Sequence, residues 1–476
     1  MLLRLRVKGF KNLRDVDVRF GPLTCFVGPN GVGKSNIFDA LQFLRRLADE
    51  DIQTAAEAVR SPASGGFGPL DLFWSADPTE ELSFEADMLV PPKVVDDFGV
   101  ETKPTTTLLR YAIAFRHRMA PRPRLELLRE TLTHLRKGEA RAIIGFPHGR
   151  EFRDSVLVGE RRGGGFITTK AGAHGAEVFL HGDGGSRGRP APAGHSPRTI
   201  LGGTNTADYP TVLAARREMS RWHALHLEPS ALRSPDHYAA AERVDEHGSH
   251  IAATLHRLGR EGSERDLIAD RVSEAGTAPR FEPRVLVDAA NRLARLVPEV
   301  DAIRIDEDAV REQRVVQVKM RGADRWFGPR SLSDGTLRFL ALVTMQMDSD
   351  TSRVLCMEEP ENGIHPSRVP EIVDLLRDFA VDPDLATGDD NPPRQVVLNT
   401  HSPDVVRRLD APEVLFVKAV AGKDGREAVV LPVECRENWR GGPGVTMQEL
   451  ADVIGGAPVG DALLARQLTL DFGTAS

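Results

Sequence analysis

The chain has 476 residues, a formal net charge of −7, 28% charged and 41% hydrophobic residues, and three cysteines. That length supports two or three lobes with substantial cores, and the negative balance rules out a global basic field that would gather nucleic acid, leaving room only for a local patch. Cys25, Cys356 and Cys435 are far apart and form no C-x-x-C pair, which argues against a disulfide framework or a zinc site and fits a reducing cytoplasm. No charged-then-apolar leader opens the chain, and no window approaches roughly 18 uninterrupted apolar residues, so no secretory signal or membrane span is expected.

Residues 1–20 predict two antiparallel strands. Leu3, Leu5 and Val7 alternate with Arg4, Arg6 and Lys8, and Val16, Val18 and Phe20 alternate with Asp15, Asp17 and Arg19, around Gly9-Phe10-Lys11-Asn12. One wet face suits the edge of an otherwise parallel sheet. Thr24-Cys25-Phe26-Val27 then reads as a short buried strand, and Ile37, Ala40, Leu41, Leu44 and Leu47 recur at helical spacing. Between them Gly28-Pro29-Asn30-Gly31-Val32-Gly33-Lys34-Ser35 fits the phosphate-loop pattern G-x-x-x-x-G-K-S. Its glycines let backbone N–H groups turn inward around phosphates, Lys34 would reach the β/γ-phosphates, and the Ser35 hydroxyl would bind Mg²⁺. The positive end of the helix adds to that field. Asn30, Gly31, Val32, Gly33, Lys34, Ser35 and Asn36 form the expected nucleotide-binding set. Phe10 and Lys11 either touch the nucleotide or belong to an ordinary turn.

Ser61-Pro62-Ala63-Ser64-Gly65-Gly66 reads as a loop, followed by strands around Leu82, Phe84 and Ala86 and over residues 105–115. Neither Gln42 nor Gln53 sits convincingly at a strand end, so the role of a γ-phosphate-sensing glutamine stays open. Residues 116–162 carry frequent arginines: Arg116, Arg118, Arg122, Arg124, Arg129, Arg136, Arg141, Arg161 and Arg162. They form either a DNA-backbone surface or a solvated face, given the interleaved Glu126, Glu130 and Glu139. Residues 182–197, rich in Gly, Arg, Pro and Ser, suggest a mobile loop. Residues 207–296 look mostly helical, without a heptad run long enough for a coiled coil. Strands follow at Ala302-Ile303-Arg304-Ile305 and around Val316, Val318 and Met320.

Three further stretches bear on the phosphate loop. Ser331-Leu332-Ser333-Asp334-Gly335-Thr336 opens a helix with a hydroxyl and spare N–H donors, either an anion-facing segment or a plain N-cap. Val354-Leu355-Cys356-Met357 forms a buried strand that ends in Glu358-Glu359-Pro360. Carboxylates at that end stand where α/β sheets place ligands: Glu358 is suited to Mg²⁺, and Glu359, turned away by strand alternation, to polarising a water. Gln395-Val396-Val397-Leu398-Asn399-Thr400 ends in His401, which could hydrogen-bond a γ-phosphate.

Taken together, Phe10-Lys11-Asn12, the loop through Asn36, Leu332-Ser333-Asp334-Gly335-Thr336, Cys356-Met357-Glu358-Glu359-Pro360-Glu361-Asn362-Gly363-Ile364-His365-Pro366 and Thr400-His401-Ser402-Pro403 resemble, in order, the RecF/SMC/OLD-like branch of ABC-class ATPases. The resemblance implies an α/β P-loop NTPase head, with a mixed, mainly parallel sheet, an antiparallel β edge, and inserted β-rich and helical lobes. Its expected layout is a first head segment over residues 1–60, a β-rich lobe with a flexible loop over 61–206, a helical lobe over 207–300, a second head segment over 301–430 and a tail over 431–476. It further implies an ATPase using ATP and Mg²⁺, whose heads pair head-to-tail. Lys34, Ser35, Glu358, Glu359 and His401 would act in cis, while Ser333 and Gly335 would serve the γ-phosphate held by a second copy. Implied partners are a second copy, DNA, and a separately encoded nuclease or toxin effector, in DNA repair or phage defence. The alternative is an ATP-sensing scaffold that restrains such an effector with little DNA contact of its own. The departures are Ser-Asp-Gly-Thr in place of Ser-Gly-Gly-Gln, and Glu358 for the usual Asp, whose extra methylene could slow hydrolysis. The altered signature and missing glutamine loop disfavour a transporter motor. The tail shows no Glu and Asp-x-Asp metal cluster, so no Toprim nuclease activity is expected.

Overall fold

A computed structural model describes residues 1–453 apart from residues 60–68, 76, 78–79, 119–122, 162, 173–174, 186, 271–283, 350–352, 423–424 and 436–437. The loop expected at residues 61–66, Arg122, Arg162 and the end of the tail lie outside the described residues. The chain forms two compact units: Met1–His223 with Arg353–Glu359 and Ala380–Ser476, and Ala224–Ser352 with Pro360–Phe379.

The first unit holds two sheets. Strands β1 (Leu2–Phe10) and β2 (Leu13–Arg19) alternate buried apolar with wetter charged positions, and they pair antiparallel with Leu5 opposite Val18. They are not the edge of the parallel sheet. β1 also pairs with Leu82–Leu89, which makes β1 and β2 one end of an eight-stranded sheet. That sheet continues through Leu108–Arg118, Arg124–His134, Ile167–Gly172, Gly175–His181 and Arg187–Pro192. The alternation fits an antiparallel sheet with one covered face equally well; which strand supplies the pairing is a non-local matter. Arg187–Pro192 lies within the stretch expected as a loop, yet it is an edge strand, where the missing N–H groups of Pro190 and Pro192 cost little.

The second sheet runs in the order Trp222–Leu225, Val354–Glu358, Gln395–Thr400, β3 (Leu23–Val27), Val414–Gly422, Gly425–Pro432. Val354–Glu358, Gln395–Thr400, β3 and Val414–Gly422 are mutually parallel, and Gly425–Pro432 adds the antiparallel edge. Buried Gln395 ties the two sheets: it accepts from Leu2 N at 2.6 Å and donates to Leu2 O and Gly21 O at 2.8 and 3.0 Å. The second unit contains the antiparallel pair Val300–Asp308 and Gln313–Met320 with helices Ile251–Asp270, Arg284–Leu296, Asp334–Met347 and Val369–Phe379. Arg257 and Asp348, both largely buried there, pair at 2.6 Å. Among the described residues no helix is long and apolar enough to cross a membrane.

Candidate functional site

β3 is entirely buried and runs into the phosphate loop, and helix α1 (Lys34–Leu47) follows with Gly33 as its N-cap. Gly31 and Gly33 have φ of 77° and 113°, which side-chain-bearing residues rarely adopt. At Gly28 the constraint is closeness: a Cβ there would lie 2.2 Å from Val417 O. Buried Lys34 folds back along the loop, donating from Nζ to Gly28 O and Pro29 O at 2.5 and 2.8 Å. Pro29, Asn30 and Gly31 are exposed, whereas Ser35 and Asn36 are half-buried.

The turn before β2 supports this loop through a residue to which the sequence reading gave no role. Asn12 donates to Val32 O at 3.0 Å and accepts from Asn36 Nδ2 at 2.8 Å. A Cβ on Gly33 would come within 2.5 Å of Asn12 Oδ1, so the glycine is what lets Asn12 approach. Phe10 is fully buried against Phe43 and Phe84, and Lys11 pairs with Asp39 of α1 at 2.7 Å with both side chains buried. In this structure both residues brace α1. Gln53 holds the edge of Arg124–His134 through Leu125 O and N at 2.9 and 3.1 Å, a bond that fixes the strand.

Parallel register gathers the remaining first-unit residues. Val27 lies beside Thr400, and Asn399 lies between Phe26 and Glu358. Gly28, Glu358 and Glu359, and His401 therefore emerge together at the carboxyl edge of one sheet, where open α/β sheets take ligands. Side-by-side residues in a parallel register share a face, so Glu358 lies on the side covered by α1, to which Phe26 belongs through its contact with Phe38 at 6.4 Å. Next to Glu358, burial and the nearby carboxylate push the Cys356 thiol well above its ordinary pKa. Glu359 does not continue the pleat. The strand ends at Glu358, and Glu359 takes φ 45°, with its N–H donating to Asn399 O at 2.9 Å and to Asn399 Oδ1 at 3.1 Å. Its Oε1 meets His401 Nδ1 at 3.0 Å while the two side chains stay 31% and 49% exposed.

The residue set suits a magnesium–nucleotide. Backbone N–H groups and a lysine suit phosphate, and a hydroxyl with a carboxylate forms a hard-oxygen donor set. Among the described residues there is no cluster of three or more His, Cys, Asp or Glu that could hold a metal ion.

Ser333 and Gly335 lie in the second unit. Ser333 is the N-cap of Asp334–Met347, accepting from Thr336 N at 3.2 Å with its Oγ 2.8 Å from Thr336 Oγ1. Arg233 holds the segment by pairing with Asp334 at 2.5 Å and donating to Leu332 O at 3.2 Å. A Cβ on Gly335 would meet nothing closer than Gly363 O at 3.8 Å, so the segment presents open backbone. Burial lowers the pKa of Arg338, one turn further along the same helix.

Several of the arginines expected as a surface have partners within the fold. Arg116 and Arg118 share Glu126 at 3.0 and 3.6 Å, Arg136 faces Glu139 at 3.6 Å, and Arg161 lies 4.0 Å over the Phe166 ring.

Comparison with known proteins adds four similarities. A stretch of 44 residues is 52% identical to the OLD nuclease of Thermus scotoductus, covering 9% of this chain and 8% of that protein. A stretch of 45 residues is 40% identical to the DNA replication and repair protein RecF of Phocaeicola vulgatus, covering 9% and 12%. The chain thus spans only about a tenth of the length of the curated relatives it matches. A crystal structure of an SMC head bound to the C-winged helix domain of ScpA superposes with a TM-score of 0.46 at 14% identity, over 90% of this chain and 98% of that one. Finally, the family described as "AAA domain, putative AbiEii toxin, Type IV TA system" matches residues 23–163 and 217–407, more than half of the sequence. The chain belongs to this AAA-domain family, and short stretches of it are similar to OLD nuclease and RecF.

Proposed function

We propose that the chain binds ATP with Mg²⁺ at the carboxyl edge of its mixed sheet and hydrolyses it between two copies arranged head-to-tail. The observation that carries this reading is the register that brings Gly28, Glu358 and His401 to one sheet edge. Asn30 to Asn36 would wrap the phosphates, with Lys34 on the β/γ-phosphates, and Ser35 and Glu358 would hold the metal. Glu359 would take a proton from the attacking water and His401 would contact the γ-phosphate. Ser333 and Gly335 would complete the site of the other copy through hydroxyl and N–H donors at a helix start. The chemistry is positioning and charge neutralisation, with little covalent work for the protein.

This ATP-gated pairing would act in the cytoplasm and be coupled to DNA or to a separately encoded nuclease or toxin, in repair or phage defence. The sharing of Glu126 by Arg116 and Arg118 favours the second reading, a scaffold that restrains an effector, because guanidinium groups paired with a carboxylate give up less on meeting phosphate. The test is Glu359→Gln. It should lose turnover by about a hundredfold or more while keeping ATP and sedimenting as a larger particle with ATP–Mg²⁺. Undiminished turnover would contradict the assignment of the base. DNA-stimulated turnover that declines steeply with salt would favour DNA over the scaffold.

A further inference from the structure

Glu359 occupies an awkward place in the chain. It is the last residue of a first-unit segment, and Pro360 begins a segment of the second unit. A following proline drives a residue toward extended backbone, yet Glu359 has φ 45°, one of four non-glycine residues described with positive φ. Such a conformation is strained and persists only where neighbours impose it.

The neighbour is Asn399. It lies 2% exposed in the middle of the parallel sheet, among the wholly buried residues of Gln395–Thr400. A polar side chain buried at that depth needs a partner. Its carboxamide makes one hydrogen bond among the described residues, accepting the Glu359 N–H at 3.1 Å, while the Asn399 carbonyl accepts the same N–H at 2.9 Å. The residue two places on, His401, receives the turned-out Glu359 carboxylate at 3.0 Å. One strand end therefore holds Glu359 twice: by its backbone through Asn399 and by its carboxylate through His401.

The geometry points to Asn399 as a positioning residue for hydrolysis, fixing Glu359 in its left-handed turn so that the carboxylate faces the reacting water and does not follow the chain into the second unit. The inference rests on the reading of Glu359 as the base. Asn399 itself touches neither nucleotide nor metal in this account. Its loss should leave binding intact and misplace the base, and a misplacement of about 1 Å can cost about a hundredfold in rate.

The experiment compares the full chain carrying Asn399→Leu, which keeps the volume and loses the acceptor, with Asn399→Asp, which keeps an acceptor oxygen. Steady-state ATPase, affinity for a fluorescent ATP analogue with Mg²⁺, and thermal melting are read on each. In Asn399→Leu, kcat is expected to fall on the order of tenfold to a hundredfold with analogue affinity unchanged, and Asn399→Asp should turn over several-fold faster than Asn399→Leu. Unchanged kcat in Asn399→Leu, or equal losses in both variants, would overturn the inference, as would a loss carried by affinity alone. If Asn399→Leu fails to fold, the comparison passes to Asn399→Asp and Asn399→Thr, where a kcat no lower for the shorter threonine would overturn it. A Glu359→Gln protein with wild-type turnover would sink the base assignment, and this inference with it. An inactive Glu359→Gln beside an unaffected Asn399→Leu would sink the inference alone.

Discussion

The two sheets of the first unit both carry charged side chains, and they use them in opposite ways. In the eight-stranded antiparallel sheet several of them are satisfied within the fold. Asp87 accepts from Arg110 at 2.6 and 2.8 Å, Glu126 takes Arg116, and fully buried Glu130 accepts from Ile200 N, Leu201 N and the Tyr111 hydroxyl at 2.7, 2.8 and 3.2 Å. At the carboxyl edge of the mixed sheet, Glu359 and His401 pair while remaining partly exposed, and the phosphate loop, its tip exposed, leaves the neighbouring strand at the same edge. Satisfied polar groups hold a fold together; polar groups left facing solvent at a sheet edge are available for chemistry. Substitutions in the two regions should therefore separate cleanly into loss of function and loss of stability.

The largest loss of function is expected at the edge. Lys34→Ala should weaken ATP binding by about two orders of magnitude with little change in melting temperature, as read by titration with a fluorescent analogue. Melting without loss of affinity would erase the contrast. Next comes the brace beneath the loop: Asp39→Ala removes the 2.7 Å partner of Lys11 and should cost about 1–3 kcal/mol, read by denaturant unfolding.

Glu130 gives a pH signature confined to the antiparallel sheet. Burial raises its pKa from 4.5 to about 7, against the pull of the two N–H groups and Tyr111. The unfolded chain ionises first, so between pH 4.5 and about 7 the folded state binds more protons, and stability falls as pH rises through that window and levels off above it. The fall should be on the order of 3 kcal/mol and should flatten in Glu130→Gln, measured by melting across that range; an unchanged slope would remove Glu130 from the account. Smallest is Arg136→Ala, whose partner Glu139 is itself 60% exposed: stability should shift by less than about 0.5 kcal/mol.

What was legible in the sequence was local. A glycine pattern, an apolar run ending in two acids and another ending in histidine each occupy fewer than ten consecutive residues, and the structure makes each one a strand with its following turn. Pairing over long separations was not legible, because alternation reports which face is wet and says nothing about which strand lies alongside; hence β1 joins Leu82–Leu89 and not the parallel sheet. Two asparagines escaped for the same reason. Asn12 reads as a turn residue and Asn399 as an interruption in an apolar strand, and only the fold brings one to Val32 and the other to Glu359. Strand alternation did separate Glu359 from Glu358, but the separation arises from a left-handed turn after the strand and not from the pleat.

The central claim is that Lys34 and Gly335 serve one site from two copies. Gly335→Glu tests it cleanly, since a side chain there has room and would set a carboxylate where the second copy's phosphate is to lie. Lys34→Ala and Gly335→Glu proteins should each be inactive alone. Mixed in equal amounts with ATP and Mg²⁺, they should recover turnover, because each mixed pair rebuilds one intact site from the phosphate loop of the Gly335→Glu copy and the Ser333–Gly335 segment of the Lys34→Ala copy. A mixture as inactive as its components would contradict a shared site.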